Sequence, residues 1–497
     1  MAKSIWLPII SLICIESLEC GCHSSASEGN DAGKNDSGRD AAPNDGGGSD
    51  ADANTDAGTE DAGEDAYVDP CADASPPDCV RYVNVNVPDG GDGLSWNTAF
   101  RTVQEGIDSA YQAANPDGGL FDECDVWVAA GTYYVYRDSP KNTIQMKLNV
   151  SIWGGFNGTE LLRCKRDIKG NGVILEGNNP SANERVYHIV TGSDDSSIDG
   201  FTIQHGSSQS DDWISTGGGI INYYQSPRVS NVIFTKNSNV AMANYHSNAE
   251  VTSCSFIGNW GGIYNNQSIV VITNSDFLWN GDGYLYGDWY YGGAIYGGDA
   301  RIQGCVFLEN GADYGGAIGG AGTLNISNSV FAYNSVVENG GAISWNGTIN
   351  IVNSVFAGNQ VEINSPQTPK PGGGIAGGTG LIYNSIFWNN FPEDIETHYT
   401  FYNSLICQSD QIDELKENFC EDPMFVGTVL KPNGWPLPLD GGLPDLHLRE
   451  GSPCIDKADD SKAPATDIEG HVRVDIPGVG TPGAKADVGA YEYRPKE

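Results

Sequence analysis

The chain has 497 residues and carries 26 Lys and Arg against 65 Asp and Glu, a formal net charge of −39. That surplus repels phosphate backbones and anionic headgroups, which excludes nucleic acid as a partner and leaves a lipid anchor as the one membrane attachment to look for. Gly, at 65 residues, is about twice its usual share of roughly 7%, and aromatics reach 10%, so many short strands joined by tight turns are expected rather than a helical bundle.

Lys3 is followed by an apolar run from Ile5 to Ile15. At ~1.5 Å per residue this run is too short for a bilayer core of ~30 Å, so it reads as a secretory signal. Leu18-Glu19-Cys20-Gly21-Cys22 directly behind it resembles a bacterial lipoprotein box. The resemblance implies diacylation of Cys22, which follows a small residue, or of Cys20. Residues 23–80 hold 15 acidic and 2 basic residues and almost nothing apolar, and are expected to be a disordered acidic Asp/Ala/Gly stalk. Residues 1–22 are then the signal and lipobox.

In an exported chain Cys71, Cys79, Cys124, Cys164, Cys407 and Cys420 are disulfide candidates. Cys71–Cys79, Cys124–Cys164 and Cys407–Cys420 are the natural pairs, although spacing alone leaves the connectivity open. No CxxC or Cys/His cluster calls for zinc. Asp89 and Asp92, in the turn Pro88-Asp89-Gly90-Gly91-Asp92-Gly93, are weak calcium candidates; otherwise no metal or cofactor is expected.

From residue 81 a repeat takes over. Phe-x-x-Asn recurs at Phe234/Asn237, Phe256/Asn259, Phe277/Asn280, Phe307/Asn310, Phe331/Asn334, Phe356/Asn359 and Phe387/Asn390, with Phe201 and Gln204 opening the series. The spacing never falls below 21 residues, so a fixed coil carries loops of variable length. Gly-Gly-Ala-Ile at 292–295, 315–318 and 340–343, with Gly-Gly-Gly-Ile at 217–220 and 372–375, is interleaved with it. Val128, Ile152, Ile174 and Ile198 continue the spacing upstream.

Within a coil, Thr323-Leu324-Asn325-Ile326-Ser327 alternates polar and apolar residues, the mark of a strand with one buried face. Asn328, Asn353 and Asn384 break such alternations and suit the left-handed conformation of a sharp bend. Short strands wound in one direction make a right-handed parallel β-helix, an all-β solenoid, with inward files of Phe, Ile and Asn. Thr102 and Glu105 form a capping box ahead of an apolar face of Val103, Ile107, Ala110, Tyr111 and Ala114, an N-terminal capping helix. The β-helix with this cap spans 81–390. An irregular C-terminal cap follows over 391–497, where the rhythm fades and Pro rises.

Three motifs resemble those of bacterial β-helix surface proteins. Ser95–Phe100, Val126–Tyr133 and Gly154–Glu160 look like their N-terminal half, and the Gly-Gly-Ala-Ile and Phe-x-x-Asn repeats resemble chlamydial polymorphic outer-membrane proteins. Gly451–Asp456, Thr466–Gly470 and Asp487–Glu492 are similar to the choice-of-anchor Q domain. The resemblance implies a fold and an envelope location, at the outer membrane or cell surface, with no agreed catalytic residues. No C-terminal membrane barrel accompanies it, so self-secretion is not implied.

Two function classes follow. An inverting glycosidase needs carboxylates ~6.5–9.5 Å apart on adjacent coils. Asp194-Asp195 and His205-Gly206 faintly resemble polygalacturonase elements, with Arg301-Ile302-Gln303 a poor third. A lyase needs a cationic base, and Arg228, Lys236 and Arg301 are the cations between Val186 and Pro369. His188, His205, His246 and His398 are scattered. The segment best suited to binding is Tyr284, Tyr286, Asp288, Trp289 and Tyr290, whose aromatics and carboxylates form a stacking platform for sugar rings. Asp211, Asp212 and Trp213 are expected on the same side, because both insertions precede a Gly-Gly corner. The expectation is a non-catalytic, envelope-anchored binder of polysaccharide or cell-surface glycan. The alternative is a polysaccharide-degrading enzyme on the same fold.

Overall fold

The computed structural model describes residues 71, 77–115, 123–207, 217–281, 291–362, 372–396, 399–408, 416–430, 432, 443–481 and 483–495. The candidate residues Asp211, Asp212, Trp213, Tyr284, Tyr286, Asp288, Trp289 and Tyr290, along with Cys20, Cys22 and His398, lie outside the described residues. The folded unit is Asp73–Glu497.

Among the described residues the strands form sheets of 18, 10 and 3 members, and their pairings are parallel, each strand joining its counterpart one coil away. Phe234, Phe256, Phe277, Phe307, Phe331, Phe356 and Phe387 pair in unbroken register along the second sheet. Their buried rings stack face to face at 4.5–4.9 Å. Ile263, Ile295, Ile318, Ile343 and Ile375, each following a glycine corner, make a second inward file. The chain is a right-handed parallel β-helix.

Polar files line two corners. Each Asn of the Phe-x-x-Asn unit donates from Nδ2 to the Oδ1 of the next, as in Asn310 to Asn334 at 3.0 Å, and also to a backbone carbonyl beneath. The run ends on Asp394. A serine file does the same at another corner, where the Oγ of Ser329, Ser354, Ser385 and Ser404 accepts the N–H of the preceding coil's residue. The buried polar groups of these two files are thus satisfied by their counterparts and the backbone of adjoining coils.

Three expectations of register are corrected. Ile203, not Phe201, pairs with Phe234, and Gln204 aligns with Thr235, so the Phe and Asn files begin at Phe234 and Asn237. Val126, not Val128, aligns with Ile152 and Ile198, while Ile174 lies in the second sheet. With several strands per coil, each alternating with a period of two, spacing along the chain does not say which apolar residue shares a file.

The helix Val103–Ala114 carries the expected capping box and buries Val103, Ile107, Ala110 and Ala114. Gly106 lets it press onto the first coils: a Cβ there would sit 2.6 Å from Val83 and 2.8 Å from Val126. Parallel stacking continues past residue 390 through the strand Tyr399–Tyr402 and the bridges of Leu405.

The C-terminal region does more than end the rod. It lies along the outer face of the second sheet, where Ile455, Val488 and Ala490 pack with Leu308, Val330, Val355 and Ile386. The turn asparagines are its docking points. Asn328 donates to the Thr466 carbonyl and accepts from Arg473, Asn353 donates to Asp487, and Asn384 donates to Asp459. Asn328, Asn353 and Asn384 do adopt positive φ, between 45° and 54°.

Cys407 is joined to Cys420. The other two expected pairings are corrected: Cys79 bonds to Cys124, tying the strand Val80–Val83 to its neighbour Cys124–Ala129. The parallel register brings these two together across 45 residues, a proximity that sequence distance hides. Cys71 and Cys164 are disulfide-bonded as well.

Candidate functional site: an aromatic strip on the first sheet

After each inward Ile of a glycine corner, the next residue points outward. Tyr264 and Tyr296 hold that position on successive coils and pair in register. Two residues further along the strand, Tyr223 and Tyr245 pair on the preceding coils. Their rings join in one line. Tyr223 to Tyr245 is 6.2 Å between centroids, and Tyr245 to Tyr264 and Tyr264 to Tyr296 are 5.5 Å each. Tyr296 to Tyr291 is 5.7 Å, and Tyr291 to Tyr314 is 4.8 Å. At the other end Tyr224 makes an edge contact with Tyr223 and stacks on His246 at 4.5 Å. Tyr223, Tyr224 and Tyr296 are 50%, 55% and 37% exposed, unusual for rings of this size with packing partners at hand.

Beyond Tyr296 the outward file continues as Gly319 and Ser344, so the wall drops away. A trough of about 410 Å³ opens there, lined by Tyr291, Tyr296, Gly297, Gly320, Ala321, Ser344, Trp345 and Asn346. Gly320 keeps its floor bare: its φ is +148°, and a Cβ would fall 2.2 Å from the Gly297 carbonyl. Burial raises the pKa of Tyr296, and the neighbouring Tyr264 and Tyr291 add to the shift. Tyr314 is raised by burial and then by Glu338, Tyr291 and Asp313. Both shifts favour the neutral phenol at Tyr296 and Tyr314. The ring faces of the strip suit apolar C–H surfaces, and the Tyr264 hydroxyl accepts from Asn266 Nδ2 at 3.0 Å.

The described residues stop at Ser207 and resume at Gly217, and stop at Gly281 and resume at Tyr291. Gly217 and Tyr291 each lead into a glycine corner. Tyr223, Tyr224, Tyr264, Tyr296 and Tyr314 were missed from sequence. The usable signal was Gly-Gly-Ile-Tyr at 261–264 and Gly-Gly-Ala-Ile-Tyr at 292–296, an aromatic where the solvent face of a strand is normally polar.

The catalytic candidates do not converge. Asp194 accepts from the Ser226 N–H at a corner of the first sheet, whereas His205 follows the second-sheet strand Thr202–Gln204 and contacts Glu176 at 3.0 Å. Hydrogen bonds from His205, Asn178 and Gln204 outweigh burial and hold Glu176 low. Arg228 ion-pairs with exposed Glu250 at 3.3 Å. Arg301 lies between Val271 and Asn325 in its file, with no carboxylate on either adjoining coil at that register. Lys236 occupies a turn with φ of 54°. His188 donates from Nδ1 to the Gly217 carbonyl at 2.8 Å. Cys254 and Cys305 are buried, and desolvation pushes both thiols up to about 12, so neither is a nucleophile.

Asp89 ion-pairs with Arg101 at 2.9 Å, and Asp92 accepts from Thr98 Oγ1 and the Leu94 N–H, so both calcium candidates already serve the turn. A tighter cluster appears in the cap, where Asp467, Glu469 and His471 offer ligand atoms within 4.8 Å of one another. Both Asp467 oxygens, however, accept backbone N–H groups from Glu469, His471 and Glu492, and Glu469 holds His447. The three motifs of the family resemblance are architectural in the same way. Glu160, for instance, accepts three successive N–H groups from Asn157, Gly158 and Thr159.

No protein-family model matches the chain, and no curated protein matches it. Among solved structures it is similar to a pectate lyase, at 15% identity over 84% of this chain and 96% of that one, with a TM-score of 0.39. It is also similar to a tailspike capsular-polysaccharide depolymerase of Acinetobacter baumannii bacteriophage Fri1, at 11% identity, 66% and 62% coverage and a TM-score of 0.31. A surface adhesin of Streptococcus pneumoniae aligns at 13% identity over 65% of this chain and 90% of its own, with a TM-score of 0.28. At these values the likenesses assign the chain no activity.

Proposed function

We propose that this protein is a glycan-binding β-helix, exported and held at the cell envelope by a lipidated Cys22 or Cys20, with the acidic residues 23–72 ahead of the folded unit as its stalk. The observation that carries the binding role is the unbroken line of ring contacts from Tyr223 to Tyr314 beside an open trough. Aromatic faces arranged in a row across successive coils suit a ligand that repeats along its length, as a polysaccharide does. Each ring stacked on a sugar is worth about 0.5–1.5 kcal/mol by analogy with aromatic pairs, so affinity requires several in concert. The motif resemblance to choice-of-anchor Q and polymorphic outer-membrane proteins agrees with an envelope role.

The test is binding to an immobilised glycan panel by the wild type and by the double variant Tyr264→Ala/Tyr296→Ala. A loss of tenfold or more is expected, with circular dichroism and melting temperature little changed, because both side chains face outward. Undiminished binding by the double variant contradicts the reading. Reducing ends or unsaturated products released from the same panel by the wild type would replace binding with degradation.

A further inference from the structure

The open rings of the strip stand at two stations, and their placement bears on the shape of the ligand, an inference that rests on the glycan-binding reading. Tyr223 and Tyr224 are exposed at one end and Tyr296 at the other, whereas Tyr245 between them is buried and Tyr264 half-buried. Local packing explains the gap. On the coils of Tyr223 and Tyr245 the outward position in register with Tyr264 belongs to Ile221 and Ala243. Both are buried, and a Cβ on Gly217 would lie 3.1 Å from the Ala243 Cβ, so Gly217 lies against that position. The rings of those two coils accordingly sit two residues further along the strand.

The strip therefore runs obliquely. Tyr223 and Tyr296 are three coils and two residues apart in register. At ~4.8 Å per coil and ~3.3 Å per residue they stand about 16 Å apart, on a line about 25° from the stacking direction. The ring centroids step along this line by 6.2, 5.5 and 5.5 Å. Such a step is close to the advance per residue of a straight pyranose chain, as in β-1,4-linked glycans, and well above the rise of a curled α-1,4-linked chain. One sugar per step places four consecutive sugars from station to station. A shorter oligosaccharide reaches one station only. A longer one engages both, and its second contact is then intramolecular, which multiplies affinity with no new kind of interaction.

We propose that the strip takes a straight, β-1,4-linked glycan chain of at least four residues, held at one station by Tyr223 and Tyr224 and at the other by Tyr296. The probes are cello-, xylo- and manno-oligosaccharides of two, three, four and six residues, with maltohexaose as the curled chain, measured by calorimetry. In a series that binds, affinity should rise tenfold or more from the trimer to the hexamer, and maltohexaose should bind at least tenfold more weakly than that hexamer. Tyr223→Ala/Tyr224→Ala should cost the hexamer tenfold or more and abolish the rise with length, at an unchanged melting temperature because both rings are exposed. Tyr223→Phe/Tyr224→Phe, which keeps the rings, should retain the rise. Affinity that does not rise with length, an equal loss for trimer and hexamer in the alanine variant, or maltohexaose bound as tightly as the straight hexamers overturns the two-station inference and leaves the strip as a glycan site. Binding of none of these probes, with binding elsewhere on the glycan panel that depends on Tyr264 and Tyr296, overturns the chain class alone. Binding of no glycan at all overturns both.

Discussion

Asp487 shows how single carboxylates organise a region that has little regular secondary structure. It accepts from the Asp456 N–H at 2.8 Å and the Tyr493 N–H at 2.6 Å, and burial, with Glu492 adding to it, pushes its pKa up to about 8. The unfolded value is about 3.9, so the folded chain holds a proton that the unfolded chain releases across that interval. Its contribution is therefore full below about pH 4 and declines as pH rises towards 8. His447 acts in the same sense higher up. Hydrogen bonding to Glu469, then to Asp445, lifts it to about 9, so its stabilisation is complete below about 6.5 and lost as pH climbs through 9. Glu469, held low by His447, limits the acid side, its contribution fading as pH falls through its lowered value. The melting temperature should fall from pH 5 to pH 9.5. Asp487→Asn, a neutral shape mimic, should flatten the slope between pH 4 and 8 while leaving the decline above pH 8. An unaltered slope in Asp487→Asn would remove this residue from the account.

At the scale of elements, the outer face of the second sheet changes character along the rod. Its outward file runs Ile233, Ser255, Asp276, Val306, Val330, Val355, Ile386; Ile233 is 43% exposed, whereas Val330 and Val355 are buried by the C-terminal layer. Val488 is fully buried in that layer among apolar side chains, so a charge placed there is desolvated. Such a burial costs several kcal/mol, of the order that detaches a docked segment. Val488→Asp should accelerate amide exchange tenfold or more across 443–495, whereas the strand Ile233–Thr235 keeps its protection, because coils in a solenoid depend chiefly on their neighbours. Uniform loss along the rod would mean that the layer and the coils unfold as one. This layer was only half legible in the sequence. Valines at outward positions of Val306–Leu308, Val330–Ala332 and Val355–Ala357 do signal a cover. The segment that supplies it has no periodicity, and its docking runs through side chains such as Asn328 and Arg473, 145 residues apart. The coil itself was legible, because Phe-x-x-Asn and Gly-Gly-x-Ile recur once per turn. The assignment of Phe201, Val128 and Ile174 to files was not, because any inward residue of a neighbouring strand has the same spacing. The strip was legible only as isolated tyrosines; that Tyr291 and Tyr314 join it depends on which coils abut.

For the whole molecule the distribution of charge matters more than its total. Residues 23–72 carry 13 acidic and 2 basic residues, so more than a quarter of the net −39 lies ahead of the folded unit in the sequence. If the chain is lipid-anchored as proposed, like charges in such a segment would favour extension and, over an anionic leaflet, repulsion from the surface. A single polar tether of this kind gives a folded glycan binder reach without presenting it to the membrane, provided that acyl chains supply the attachment. The proposed diacylation would provide it: one acyl chain alone binds marginally, and two hold stably. With a lipid on Cys22, Cys22→Ser should shift the protein from the detergent-rich to the aqueous phase on detergent phase partition, with panel binding by the strip unchanged. Retention of Cys22→Ser in the detergent phase with release by Cys20→Ser would place the lipid on the earlier cysteine. Retention of both single variants and of the double variant would rule out a thioether-linked lipid at this position, and with it the picture of a tethered rod.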